Sequence, residues 1–409
     1  MELHTKFGLL QEGLNDRYAE RTTEIDLGIK GLVARQHVLQ IGPPGTAKSM
    51  LAHDLATAFD VPYMRKLLGK STPPEEMFGP YDLAAIKESK FRRVTTDRTA
   101  QRAVIQFWDE IFKSSAAIRN TMLTILNERY YDHGDEFYTV PLITVFAASN
   151  ELPDDSEESG AFFDRFLLRR FVSYIKDPSQ FVKMMRATRN RADGTTIDLG
   201  PVMTHADLLE AHAEAMQVVV PTSLEEALLD LRTTLDLEGI IASDRRWGES
   251  QDIIRVNAWQ DGRGKADESD IIPLQHVLWE DPSHIKPVLR TILAMASPVS
   301  HRVVDLTDQV EQIEAQLREE VKRVNVDGTE KARSELREQG IEWFTKLEGV
   351  MKELAGLQEK TKDDNRAGAV IEEAMNKTEQ VTLLVGSDAM KLTSYNNALS
   401  KMRERVFGE

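Results

Sequence analysis

Residues 38–55, VLQIGPPGTAKSMLAHDL, constrain the fold more than any other stretch of the chain. The apolar run Val38, Leu39 and Ile41 reads as a buried strand. It breaks at Gly42-Pro43-Pro44-Gly45 and, after Thr46 and Ala47, meets Lys48-Ser49 and then Met50, Leu51 and Leu55 at helical spacing. Strand, glycine-rich loop, Lys-Ser and helix in this order make a phosphate-binding loop. Its backbone N–H groups and the helix N-terminus supply partial positive charge for a triphosphate. Lys48 is placed to reach the β/γ-phosphates and the Ser49 hydroxyl to bind Mg²⁺, so Gly42 through Met50 form the candidate nucleotide set. Ala47 stands where glycine is usual, and it is accommodated if its φ is negative, since only a methyl is added. A chance Gly/Pro turn before Lys-Ser is the bland alternative.

Length and composition narrow the classes. A chain of 409 residues exceeds one ordinary core, so two or three domains are expected. The net charge of −16 argues against non-specific binding to nucleic acid or anionic membrane, although a local basic surface could exist. With no cysteine there is neither a disulfide framework nor a thiolate metal site. No apolar run approaches the roughly 18 residues of a membrane span, and MELHTKFG does not read as a signal peptide. A soluble cytoplasmic protein is the expectation.

Further along, residues 5–36 read as two helices, mostly scaffold, some of whose residues line a base pocket. Pro62-Tyr63-Met64 begins a second strand. The stretch about 75–93, with its charges and turn residues, reads as an exposed insertion facing solvent or a substrate. Residues 104–110, VIQFWDE, form an apolar strand ending in two carboxylates. Asp109 at such a tip would hold Mg²⁺ through its water shell, and Glu110 would orient and deprotonate the attacking water. Ser114–Glu128 is strongly helical, and residues 129–141 read as a hairpin with His133 in its turn. Leu142–Ala148 is another buried strand, ending at Ser149-Asn150. An amide at Asn150 could bond the γ-phosphate or the water, because open α/β sheets bind ligands at the C-terminal strand ends. An acidic loop, PDDSEESG, and then FFDRFLLRRFV follow.

GPPGTAKS, FWDE, AASN and FDRFLLR, in this order and spacing, resemble the AAA+ ATPases of the MoxR branch. STPPEEMFGP, LNER, AASNELP and SDRRW resemble, more narrowly, the regulatory ATPase variant A (RavA) group. The likeness spans about residues 15–285, and alanine before the lysine is common in this branch. It implies an α/β AAA+ core with a parallel central sheet over residues 1–187, then an all-α lid over 188–300. It places Lys48 in Walker A, Asp109 and Glu110 in Walker B and Asn150 at sensor 1. ATP with Mg²⁺ would lie between subunits of a ring, expected to be hexameric, with a neighbour supplying an arginine finger. Arg165 is the candidate, with Arg169 and Arg170 as runners-up. Sensor 2 would come from Ser243-Asp244-Arg245-Arg246-Trp247, a helix start, with Arg245 favoured over Arg246. The resemblance also implies a protein substrate, or a partner bearing a von Willebrand factor A (vWA) domain.

From Val303 the apolar positions step by three and four to Val324, and again from Leu336 to Leu357, on either side of the turn NVDGT. A helical appendage over 301–409, built on an antiparallel hairpin, is expected. The leading function is Mg²⁺-dependent ATP hydrolysis in a ring that remodels a partner protein. The alternatives are a nucleotide-gated scaffold and a nucleic-acid-directed motor. The acidic balance weighs against the last.

Overall fold

The computed structural model describes residues 1–88, 92–132, 137–153, 157–192, 203–361 and 365–390. The His133 turn of the hairpin lies outside them. The chain divides into two compact units, Met1–Val288 and Leu289–Glu409.

The first unit opens with two helices, α1 (Leu3–Arg17) and α2 (Thr22–Ala34), then β1 (Val38–Ile41), α3 (Lys48–Ala58) and β2 (Tyr63–Leu67). Two short helices, α4 (Pro74–Phe78) and α5 (Leu83–Lys87), precede β3 (Ile105–Asp109) and α6 (Ala116–Glu128). Next come the antiparallel pair β4 (Tyr130–Asp132) and β5 (Phe137–Thr139), then β6 (Thr144–Ser149), α7 (Glu157–Phe163), β7 (Leu168–Phe171) and α8 (Pro178–Ala192). The central sheet is parallel in the order β2-β3-β6-β1-β7. Parallel strands are covered on both faces and therefore read as continuous apolar runs, as β1 and β6 do, buried at every position. The order places the tips of β3, β6 and β1 side by side.

The insertion expected over 75–93 is exposed only in part. Met77 and Phe78 of α4 are buried, and Phe78 stacks on Tyr131 with ring centroids 5.2 Å apart. Leu83 and Ile86 of α5 are exposed. Charge and turn residues signalled solvent correctly for α5 but hid the apolar anchor just before it.

The rest of the unit is helical: α9 (His205–Ala215), α10 (Thr222–Leu237) and α11 (Asp244–Gln260), followed by a 3₁₀ stretch at Glu268–His276. Ser243 caps α11, its hydroxyl accepting from the Arg246 N–H. The division between the units falls within α12 (Ile285–Ala296).

The second unit contains α13 (Pro298–Asp327), α14 (Glu330–Lys360) and α15 (Asn365–Leu384). Gly328 adopts a left-handed φ of 69° to end α13 and the Thr329 hydroxyl caps α14. The reversal is therefore confined to Gly328-Thr329, and Asn325 to Asp327, read from sequence as part of the turn, belong to α13. Val303, Leu306, Val310 and Leu317 of α13 share one core with Leu336, Leu347 and Leu354 of α14 and Ile371 and Val381 of α15. The hairpin seam is therefore completed by a third helix.

Candidate functional site

The loop between β1 and α3 is fixed by close packing at Gly42 and by left-handed backbone further along. A Cβ at Gly42 would lie 2.0 Å from the Val172 carbonyl oxygen, so only glycine lets β1 leave the sheet beside β7. Gly45 has a φ of 79°, in the region that favours glycine. Ala47 does not meet the condition under which its methyl is easily accommodated: its φ is 69°, left-handed and not negative. It occupies the conformation that glycine usually supplies, at a cost of about 1–2 kcal/mol for an L residue. Ala47→Gly should therefore raise unit stability by roughly 1 kcal/mol, read as a shift of a few degrees in the melting temperature.

Lys48 donates to the carbonyls of Gly42 (2.7 Å) and Pro43 (2.8 Å) and approaches the Thr46 hydroxyl (3.3 Å). Burial pushes its ammonium below the ordinary lysine range, and the Arg21 charge adds to this, while Asp109 and Glu110 oppose it. The Asp109 carboxyl is raised above its ordinary range, first by burial, then by Glu110, with Lys48 pulling the other way. Burial thus disfavours the charged form of each, and an opposite charge nearby favours it.

Glu110 also has a left-handed backbone, φ 56°, and one carboxylate oxygen accepts from the Asn150 side-chain amide at 2.5 Å. Its other oxygen lies 3.2 Å from the Lys113 ammonium. Strained backbone at a non-glycine residue persists where the surroundings over-determine it, and such residues concentrate at functional sites.

These groups border one cavity of about 720 Å³. Pro44 to Met50, Asp109, Glu110 and Asn150 line its polar end. Tyr18 and Ala19, together with Tyr174, Ile175, Phe181 and Met184 from β7 onward, provide an apolar wall. The sequence reading placed base-pocket residues somewhere in 5–36, and Tyr18 is one such lining residue. It missed α8 altogether. The signal was there in Phe181, Met184 and Thr188, spaced i, i+3, i+7 on one face. Tyr18 is pinned by its hydroxyl to Asp54 of α3 (2.5 Å), which also receives Arg17 at 2.7 Å.

The five arginines of the finger and lid motifs are placed differently from one another. Arg169 is fully buried and donates to the carbonyls of Phe166, Trp279 and Phe163 at 3.0, 2.8 and 2.9 Å. Arg246, also fully buried, pairs with Asp164 at 2.9 Å and donates to the Val277 and Phe166 carbonyls. Both have their N–H groups engaged in joining the core to the helical region. Arg170 pairs with Glu24 at 3.4 Å. Arg165 and Arg245 are not among the residues lining the cavity. Arg165 lies 3.4 Å from Asp164, and its buried Nε has no hydrogen-bond partner. Its pKa is lowered by burial first and by the Arg245 charge second, which puts the two guanidinium groups close together. Arg245 is half-buried and donates to the Asn127 side-chain oxygen at 3.1 Å.

A phosphate loop opening a helix, flanked by strand tips bearing Asp-Glu and Asn, on a parallel sheet followed by an all-α lid, defines an AAA+ ATPase. The comparisons agree. Residues 6–210 match the family described as the MoxR domain in the MoxR-vWA-beta-propeller ternary systems, and residues 223–292 match an AAA lid domain. The chain belongs to the MoxR family of AAA+ ATPases. It is 31% identical over 371 residues to uncharacterized protein MJ0812 of Methanocaldococcus jannaschii, covering 90% of this chain and 96% of that one. Uncharacterized protein MJ0079 of the same organism is 30% identical over 380 residues, covering 93% and 96%. In fold, the chain is similar to the crystal structure of a "putative ATPase" from Cytophaga hutchinsonii, with a TM-score of 0.58 at 19% identity, covering 72% of this chain and 94% of that one. The likeness found is to the MoxR family as a whole, and the narrower RavA resemblance is carried no further.

Proposed function

We propose that this protein hydrolyses Mg²⁺-ATP at the interface between subunits of a ring and uses the cycle to remodel a partner protein. The observation that carries the reading is the gathering of Lys48, Asp109, Glu110 and Asn150 on one cavity, with Arg165 and Arg245 outside it. The residues fit a nucleotide-borne Mg²⁺: among the described residues no group of three His, Cys, Asp or Glu could hold a metal unaided. Mg²⁺ ordinarily takes one or two protein ligands and completes its shell with phosphate and water. Ser49 would bind the metal by its hydroxyl and Asp109 would hold it through its water shell, and the metal would supply neutralisation of charge on the transferring phosphoryl group. Lys48 and the loop N–H groups, Gly42 to Met50, bind the phosphates. Glu110 takes the proton from the attacking water, while Asn150 fixes the orientation of its carboxylate.

With the candidate finger Arg165 and the lid's Arg245 both outside the cavity, the site reads as half complete. Arg165 serves a neighbouring subunit, and Arg245, beside it, acts on the same side of the interface. A hexamer is the ring size we propose, with the cytoplasm as the compartment. The partner is a protein carrying a vWA domain, in keeping with the systems from which the matched family takes its description. No described helix is long and apolar enough to cross a membrane.

The test combines assembly with rate. Specific ATPase activity should rise with protein concentration and track the appearance of a ring in sedimentation velocity. Activity that is the same per subunit at every concentration, from a protein that stays monomeric with ATP, would refute the interface reading.

A further inference from the structure

Arg21 borders the nucleotide cavity but belongs to no motif read from the sequence. It immediately precedes α2, and its side chain is buried. The guanidinium donates to three carbonyl oxygens: Glu20 at 2.6 Å, Thr46 of the phosphate loop at 3.1 Å and Ser173 at 2.8 Å. Among the described residues no carboxylate comes within 4.0 Å of it. Carbonyl dipoles satisfy its N–H groups but contribute no net charge, and a buried cation without a counter-ion is costly. A second cation, Lys48, stands near enough to feel it.

Two consequences follow for the loop. The Thr46 carbonyl and the Ala47 N–H lie on opposite edges of one planar peptide, so anchoring the carbonyl fixes the direction of that N–H. The same anchor helps to hold Ala47 in its left-handed conformation. Through Ser173, Arg21 also ties the loop to the segment that carries Tyr174 and Ile175 into the cavity wall.

Resting on the reading of this cavity as an ATP site, we infer that Arg21 is a positioning residue for the phosphate loop whose uncompensated charge is neutralised by the bound polyphosphate. A structural staple alone would affect every nucleotide equally, whereas a charge acts in proportion to the charge it meets.

The experiment measures displacement of a fluorescent ADP analogue by AMP, ADP and ATP in EDTA, where ligand charge rises stepwise and hydrolysis is suppressed. For Arg21→Met, ATP affinity should fall on the order of 10-fold or more, ADP less and AMP least, while Arg21→Lys keeps an ATP-to-AMP affinity ratio near that of wild type. Equal losses for all three nucleotides, or none, would overturn the inference. Should Arg21→Met fail to fold, the Lys variant decides alone: a ratio that collapses despite the retained charge overturns it. Wild-type protein that binds none of the three nucleotides removes the ATP-site reading itself, a result distinct from a flat response in the variants.

Discussion

Glu110→Gln should lower the rate of ATP hydrolysis by about 10²- to 10⁴-fold, the range contributed by a positioned general base, while leaving ATP binding close to wild type. The substitution keeps the side chain's shape and its acceptor oxygen toward the Asn150 amide, now 2.5 Å from the carboxylate, but removes the basicity. Single-turnover phosphate release and equilibrium binding of a fluorescent ATP analogue separate the two effects. Lys48→Ala should behave oppositely, losing binding first, because its ammonium is the cation held between loop carbonyls and the Walker B carboxylates. An unchanged rate in Glu110→Gln would remove Glu110 from the chemistry. The same variant, stalled with ATP bound, is also the form in which to capture a vWA-domain partner.

The contrast between strands and side-chain partners explains what could be read from sequence. β1, β3 and β6 are largely buried, so they appear as apolar runs, and each run stops at a residue that does not continue it: Gly42 just past β1, Asp109 at the end of β3 and Ser149 at the end of β6. Parallel topology brings such tips to one edge of the sheet, which is why Lys48, Asp109, Glu110 and Asn150 could be assembled without coordinates. β7 carries two arginines and escaped notice as a strand. Nothing in the local pattern shows that Arg169 sits over the Phe163 ring, 3.5 Å from its centroid, or that its N–H groups end on carbonyls of distant segments. Arg246 was hidden for the same reason. Burial of an arginine depends on tertiary carbonyl partners, which leave no periodic trace in the sequence.

Backbone conformation was the other blind spot. Ala47 and Glu110 both adopt left-handed φ values, 69° and 56°, where sequence reasoning defaults to the right-handed region. In each case the neighbours impose it. The Thr46 carbonyl before Ala47 is held by Arg21, and Glu110 is held by Asn150 and Lys113. The second unit was legible for a simple reason: its apolar residues repeat every three or four positions along helices of 30 and 31 residues, so one seam survives every local exception.

Arg165→Ala should abolish hydrolysis in a ring made only of that variant, by about 10³- to 10⁵-fold, the contribution of an arginine finger supplied in trans. The geometry motivating this is that Arg165 stands outside the cavity of its own subunit, beside Arg245, with a buried Nε lacking a partner. Mixed rings give the decisive measurement. An Arg165→Ala subunit keeps an intact Glu110, and a Glu110→Gln subunit keeps an intact Arg165, so each supplies what the other lacks only if the arginine crosses the interface. Equimolar mixtures of the two inactive variants should regain roughly a quarter of wild-type activity, from random pairing at head-to-tail interfaces. If the finger served its own site, no mixture would recover, since every subunit would carry one lesion in a self-contained centre. Of the runners-up, Arg169 makes a poor finger because its guanidinium is wholly engaged by three carbonyls, whereas Arg170 is paired with Glu24 at the same 3.4 Å as Arg165 with Asp164. What favours Arg165 over Arg170 is its place beside Arg245 and a buried Nε that has no hydrogen-bond partner within its own subunit.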